Sequence, residues 1–133
     1  KGGIPGFVRV IGKNELAFPD YDGNGMFKSL GNVSANPSVG LLFIAMGEKP
    51  RRLRVNGTAA LGRHDPLMQS FVGAQMLIRV TARAIFPNCP RYIPGANGPS
   101  EYCPRQGQEP VEPAWKSFDV FKDYVHPRQP TPK

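Results

Sequence analysis

The stretch "FPDYDGNGMFKSLGNVSANPSVGLLFIAM", Phe18 to Met46, carries the reading of the fold. A Gly/Asp/Asn loop opens onto Met26, Phe27, Leu30 and Val33, apolar positions spaced to line one face of a short helix. Pro37 biases Asn36 out of helical geometry, so the helix is predicted to stop there. The run "SVGLLFIAM" that follows is apolar on both faces and reads as a central β-strand.

Upstream of this stretch, "GFVRVIGKNELAFPD" reads as a hairpin, with Phe7, Val8, Val10 and Ile11 leading into a "GKN" turn and Leu16, Ala17 and Phe18 leading out. Downstream, "RRLRVNGTAALG" alternates, with Arg52, Arg54 and Asn56 on one face and Leu53 and Val55 on the other, as in a half-exposed strand. "HDPLMQSFV" is predicted as a short helix capped by Asp65 with Pro66 in its first position. "AQMLIRVTARAIF" is a long strand with Met76, Ile78 and Val80 on one side. From Pro87 to Pro113 the chain becomes Pro/Gly-rich. "AWKSFDVFKDYV" then offers Trp115, Phe118, Phe121 and Val125 as an amphipathic helical piece ahead of a polar tail. The order of elements predicts a mainly β chain: a small antiparallel split β-barrel with two or three short helices and an irregular C-terminal extension.

With 133 residues, the chain fits one buried core, expected over residues 1–88, followed by the extension over 89–133. The 15 glycines and 15 prolines lack the period of collagen and point to turns and short strands. A net charge of +7 favours anionic partners, but the arginines are dispersed among separate elements, which argues against nucleic acid and suits phosphate on a small molecule. No apolar run reaches the roughly 18 residues of a membrane span, and no signal peptide is evident, so a cytoplasmic location is expected. Cys89 and Cys103 bracket the Pro/Gly-rich segment and could form a disulfide; no CxxC spacing suggests zinc.

Two readings of the opening loop stand side by side. Gly23 and Gly25 let the backbone approach a ligand, Asn24 offers a hydrogen bond, and Lys28 and Ser29 add charge and hydroxyl at a helix N-terminus, together a phosphate cradle. Alternatively, Asp22 or Asn24 caps the helix and Lys28 is a surface lysine. Arg52 and Arg54 either meet the polar edge of a ring system or form the wet face of a strand. His64 and His126 read as exposed loop and tail residues. No catalytic triad, carboxylate pair or metal-ligand spacing emerges, so any redox chemistry falls to a cofactor and no general acid can be named.

"LAFPDYDGNGMFKSLGNVSANPSVGLLFI", then "RLRVNGTAAL", then "AIFPNCPRYI" together resemble the pyridoxamine 5′-phosphate oxidase-like FMN-binding split-barrel family, over Gly2 to Ile93. The resemblance implies FMN as cofactor. The two positions that carry the family's phosphate-binding basic pair before the Asn-Pro stop fall on Lys28 and Ser29. Arg52 takes the place of a polar residue facing the flavin ring, with Arg54 beside it, and Lys1 and Gly2 fall where a strand runs past the flavin. The resemblance also implies a homodimer with the flavin in the groove between subunits, and a further strand before Lys1. The C-terminal Arg/His segment of true pyridoxamine phosphate oxidases has no match here, so vitamin B6 oxidation is not expected. The expected activity is flavin-dependent oxidation or reduction of an unidentified small molecule; the alternative is a non-catalytic carrier of flavin, or of another phosphate or tetrapyrrole ligand.

Overall fold

The computed structural model describes residues 1–95 and 97–126. The polar tail expected at the C-terminus lies outside these residues from position 127 onward. The chain divides into two compact units, one formed by Lys1–Ile44 with Arg52–Asn88, the other by Ala45–Arg51 with Cys89–Lys133.

The first unit is an antiparallel sheet of five strands: β1 (Arg9–Gly12), β2 (Glu15–Asp20), β3 (Ser38–Ala45), β4 (Arg51–Gly62) and β5 (Met76–Asn88). Their order across the sheet is β1-β2-β5-β4-β3, with one α-helix, α1 (Lys28–Ala35), between β2 and β3. The two long strands, rich in β-branched and apolar residues, occupy the middle, where both edges of each find partners. β2 pairs with β5 in an unbroken register from Glu15↔Thr81 to Asp20↔Met76. β4 pairs with β5 from Arg52↔Asn88 to Gly62↔Leu77, interrupted by a bulge at Asn56/Gly57. Gly57 is required there: a Cβ on it would lie 2.2 Å from the Thr81 carbonyl oxygen.

Period-two alternation gives each face of the sheet its own core. On one face Phe18, Ala59, Met76, Ile78 and Val80 pack with Leu30 of α1, flanked by Val33, Val39 and Leu41. On the other, Ala17 and Leu77 pack with Phe71, flanked by Leu67 and Met68 of a 3-10 turn, Pro66–Ser70. That turn starts as the sequence predicts, with Asp65 accepting from Leu67 N at 2.9 Å and Pro66 in the first turn, but it is a 3-10 turn and not an α-helix.

Three sequence expectations meet a different structure. β3 is an edge strand and not a central one, with Leu42 and Ile44 exposed at 43% and 44%. Its apolar run specifies hydrophobic surface on both sides but says nothing about how many neighbours pair with it. The segment from Ala114 forms two 3-10 turns, Ala114–Ser117 and Asp119–Phe121, and not an amphipathic helix. Phe118 between them is extended (φ −71°, ψ 134°), and Trp115 meets Phe121 edge-on at 5.7 Å instead of lining a stripe over a core. The sheet is also open. β1 and β3 both border one apolar hollow of about 420 Å³, through Val10 and Phe43, yet stand at opposite edges of the strand order.

Candidate functional site

The loop before α1 is shaped by backbone conformations that side chains seldom take. Gly25 sits at φ 70°, and Phe27, the residue flanking the helix, is left-handed at φ 47°. Neither residue offered by the sequence as a cap performs that task. Asn24 Oδ1 accepts from Met26 N at 3.1 Å, closing a local turn, and Asp22 Oδ1 accepts from Gln75 Nε2 at 3.2 Å. The helix has no side-chain cap. Its ladder begins with Gly31 N donating to Phe27 O at 2.7 Å, so the amides of Lys28, Ser29 and Leu30 lie before the first such bond. Lys28 and Ser29 are exposed in this first turn, and Lys28 has no ion pair among the described residues. Unsatisfied N–H groups, the positive end of the helix dipole and a lysine are together suited to an anion.

Beside this turn lies a cleft of about 450 Å³, walled by Phe27, Leu30, Leu61 and Met76 and bordered by Ser34 and Arg63. Arg63 brings a cation to α1 that the sequence reading passed over. Its only signal was its position directly after Gly62, the last residue of β4.

The remaining expected site residues are distributed. Lys1 Nζ donates to Asp20 Oδ1, and Asp20 is buried to 2% exposure, so the lysine's charge compensates a carboxylate withdrawn from water. Lys1 also borders a cleft of about 370 Å³ with Phe7, Phe18 and Leu41. Gly2 is exposed with open space around it. Arg52 and Arg54 are half-buried and pair across the ladder with Asn88 and Phe86, at the opposite end of β4 from Leu61 and α1. From Arg54 to Leu61 the strand runs roughly 23 Å. Within one chain, then, Lys28 and Ser29 open α1, Arg63 lines the cleft beside that helix, and Arg52 and Arg54 lie at the far end of β4.

The strongest electrostatic feature lies on the other face of the sheet. Arg79 donates from Nε and one terminal nitrogen to the two Asp65 oxygens at 2.6 and 3.1 Å, and from its other terminal nitrogen to Glu15 at 3.3 Å. The Arg79 hydrogen bonds, then the Leu67 amide, hold the Asp65 carboxyl below its ordinary value, and the two carboxylates raise Arg79 further above its own. Nearby, Arg9 lies 3.9 Å from the Phe71 ring centre and donates to Ser70 Oγ and O at 2.7 and 3.0 Å. Both arginines fasten the 65–71 segment to the strands, Arg79 through Asp65 and Arg9 through Ser70 and Phe71, a structural task.

His64 and His126 are exposed, and no cluster of three metal-ligating side chains occurs among the described residues. No helix among them is long and apolar enough to cross a membrane. Comparison of the chain with protein-family models and with curated proteins gives no match.

Proposed function

We propose that this chain binds FMN on a split-barrel scaffold and acts as a flavin-dependent oxidoreductase on a small molecule. The observation that carries the reading is the start of α1: an uncapped helical turn opening with Lys28 and Ser29, on the residues whose pattern resembles the family's phosphate site. The dianionic phosphate would accept from the free amides and the Ser29 hydroxyl and pair with Lys28, with Arg63 as a second cation beside it. FMN, when bound, supplies hydride transfer.

The separation of Arg52 and Arg54 from α1 is the reason to propose a homodimer. A second copy would bring its own β4 arginines to the ring while the first holds the phosphate, in a groove shared by the two. Lys1, kept in place by Asp20, and the open backbone at Gly2 would border the same groove. The second reading keeps the binding site without turnover, as a flavin carrier or a binder of another phosphate ligand. It is favoured by the lack of a side chain fit to act as general acid at the start of α1.

A visible absorption spectrum of the freshly purified protein, followed by heat release of any chromophore, tests the proposal. A yellow protein that releases FMN supports it, and oxidation of a reduced nicotinamide then separates enzyme from carrier. A colourless protein that also fails to bind added FMN overturns it.

A further inference from the structure

We propose that Asn24 is a site of self-modification, its side-chain amide attacked by the backbone nitrogen of Gly25 and converted to a carboxylate in the loop before α1. Glycine after asparagine favours this cyclisation: without a Cβ it leaves the amide carbon open to attack and lets the peptide nitrogen turn towards it. The chain holds three such pairs, Asn24-Gly25, Asn56-Gly57 and Asn97-Gly98. Their local chemistry is alike, and the fold separates them.

Asn24 and Gly25 are exposed and lie between β2 and α1, outside helix and strand. Gly25 takes φ 70°, and nothing lies within 4 Å of the place a Cβ on it would occupy. Asn24 Oδ1 accepts from Met26 N at 3.1 Å, closing a small ring of atoms that includes both the Asn24 side-chain carbonyl carbon and the Gly25 nitrogen. The other two pairs are held. Asn56 and Gly57 pair with Ala84 and Ala82 in the β4–β5 ladder, and Gly57 is buried against the Thr81 carbonyl. Gly98 N donates to Gly95 O at 3.4 Å in an antiparallel bridge, and Pro99 restricts the Gly98 backbone further. At both, the glycine peptide must leave its partners before it can turn to the side chain, so cyclisation waits on local opening.

The step needs only water. The Gly25 nitrogen bonds to Asn24 Cγ as the Cγ–Nδ2 bond breaks, and the proton of that nitrogen leaves with the amide group as ammonia, so a succinimide ring remains. Water then adds to one of the ring carbonyls and opens it. Attack at the side-chain carbonyl gives aspartate; attack at the main-chain carbonyl gives isoaspartate, with the backbone rerouted through Cβ. Either product places a new negative charge in the loop that opens onto Lys28 and Ser29. If this loop holds the FMN phosphate, that charge opposes the ligand.

Incubating the native full chain in mildly alkaline buffer, beside the same chain unfolded in urea, and mapping the peptides by mass spectrometry tests the proposal. In the native chain Asn24 should convert roughly tenfold faster or more than Asn56 and Asn97, giving a peptide heavier by the exchange of an amino for a hydroxyl group and divided between aspartate and isoaspartate. In urea the rates at the three sites should converge. Asn24→Gln, whose longer side chain forms the ring poorly, should lose this product alone. The aged chain and Asn24→Asp should both bind FMN more weakly than the fresh chain. That arm rests on the FMN reading above, and its failure alongside rapid conversion counts against that reading alone. Equal native rates at the three sites, or Asn24 persisting in the native chain while it converts in urea, would overturn the proposal.

Discussion

Arg79 clasps Asp65 through two hydrogen bonds, at 2.6 and 3.1 Å, while Asp65 also caps the turn that carries Phe71 into the second core. One carboxylate thus joins β5 to the segment covering its face. Because the folded chain lowers the Asp65 carboxyl below its ordinary 3.8, its contribution is complete above that value and is lost as the pH falls through the lowered one. Asp65→Asn should therefore lower the urea midpoint at neutral pH, and the gap to the unmutated protein should close as the pH falls below the ordinary carboxylate value of 3.8. Asparagine keeps the oxygen that accepts from the Leu67 amide, so the difference between the two proteins reports the charge and not the cap. A gap of the same size at neutral and at acid pH would show that the ionised carboxylate is not its source.

The same residues mark how far the sequence can be read. Asp65 and Pro66 announce a helical start by chemistry that acts over three residues, so it was legible without the fold. Asn36-Pro37 as a helix stop is local in the same way, and the structure ends α1 at Ala35. Met76, Ile78 and Val80 declare a buried face through their alternation, and they lie in one core. What remained hidden depends on partners distant in the chain. Nothing in "SVGLLFIAM" distinguishes an edge strand from a central one, because apolar side chains report contact with faces and not hydrogen bonding at edges. The apolar spacing around Trp115 and Phe121 suits a helix equally well as a pair of tight turns whose rings meet edge-on. Near the candidate site, the place of Lys28 at the start of α1 was legible because its neighbours form a local pattern, whereas Arg63 comes to the cleft beside α1 through the pairing of β4 with β5.

If Lys28 pairs with a phosphate, Lys28→Ala should weaken FMN binding by about 1–3 kcal/mol, the worth of a hydrogen bond to a charged group. Arg63→Ala should weaken it in the same direction, and His64→Ala, at an exposed position, should leave it unchanged. Flavin fluorescence quenching titrations on the three variants check this. An unaltered dissociation constant for Lys28→Ala removes that residue from the site.

Two glycines should respond to alanine with opposite signs. At Gly57 the added Cβ would meet the Thr81 carbonyl oxygen at 2.2 Å, a backbone atom fixed by the β4–β5 ladder. Gly57→Ala must shift that ladder and should cost about 1–3 kcal/mol, as overpacking does. At Gly31, exposed within α1, nothing lies within 4 Å of the new methyl group. Gly31→Ala should stabilise the fold by about 0.5–1 kcal/mol, because alanine loses less backbone freedom in a helix. Thermal or urea unfolding of both variants decides it; destabilisation of equal size would contradict the packing described for α1.

Phe27 and Phe71 offer the sharpest contrast between a residue kept for packing and one held against its conformational preference. Phe71 is 4% exposed, inside the core with Leu77 and Ala17, and takes an ordinary extended backbone. Phe71→Ala removes a ring from a closed cavity and should cost about 3–5 kcal/mol. Phe27 is 46% exposed and left-handed at φ 47°, a conformation that costs an L-residue roughly 1–2 kcal/mol. Glycine adopts it freely, so the strain released in Phe27→Gly offsets the modest burial given up, and stability should change by less than about 1 kcal/mol. If the left-handed turn at Phe27 serves the cleft beside α1, the glycine variant should still lose affinity for FMN, since it keeps the backbone but deletes one wall. Measuring unfolding and flavin titration on the same sample separates the two effects. A large loss of stability in Phe27→Gly would mean that the ring is anchored in the core and that the bend before α1 follows from packing, with no connection to a ligand.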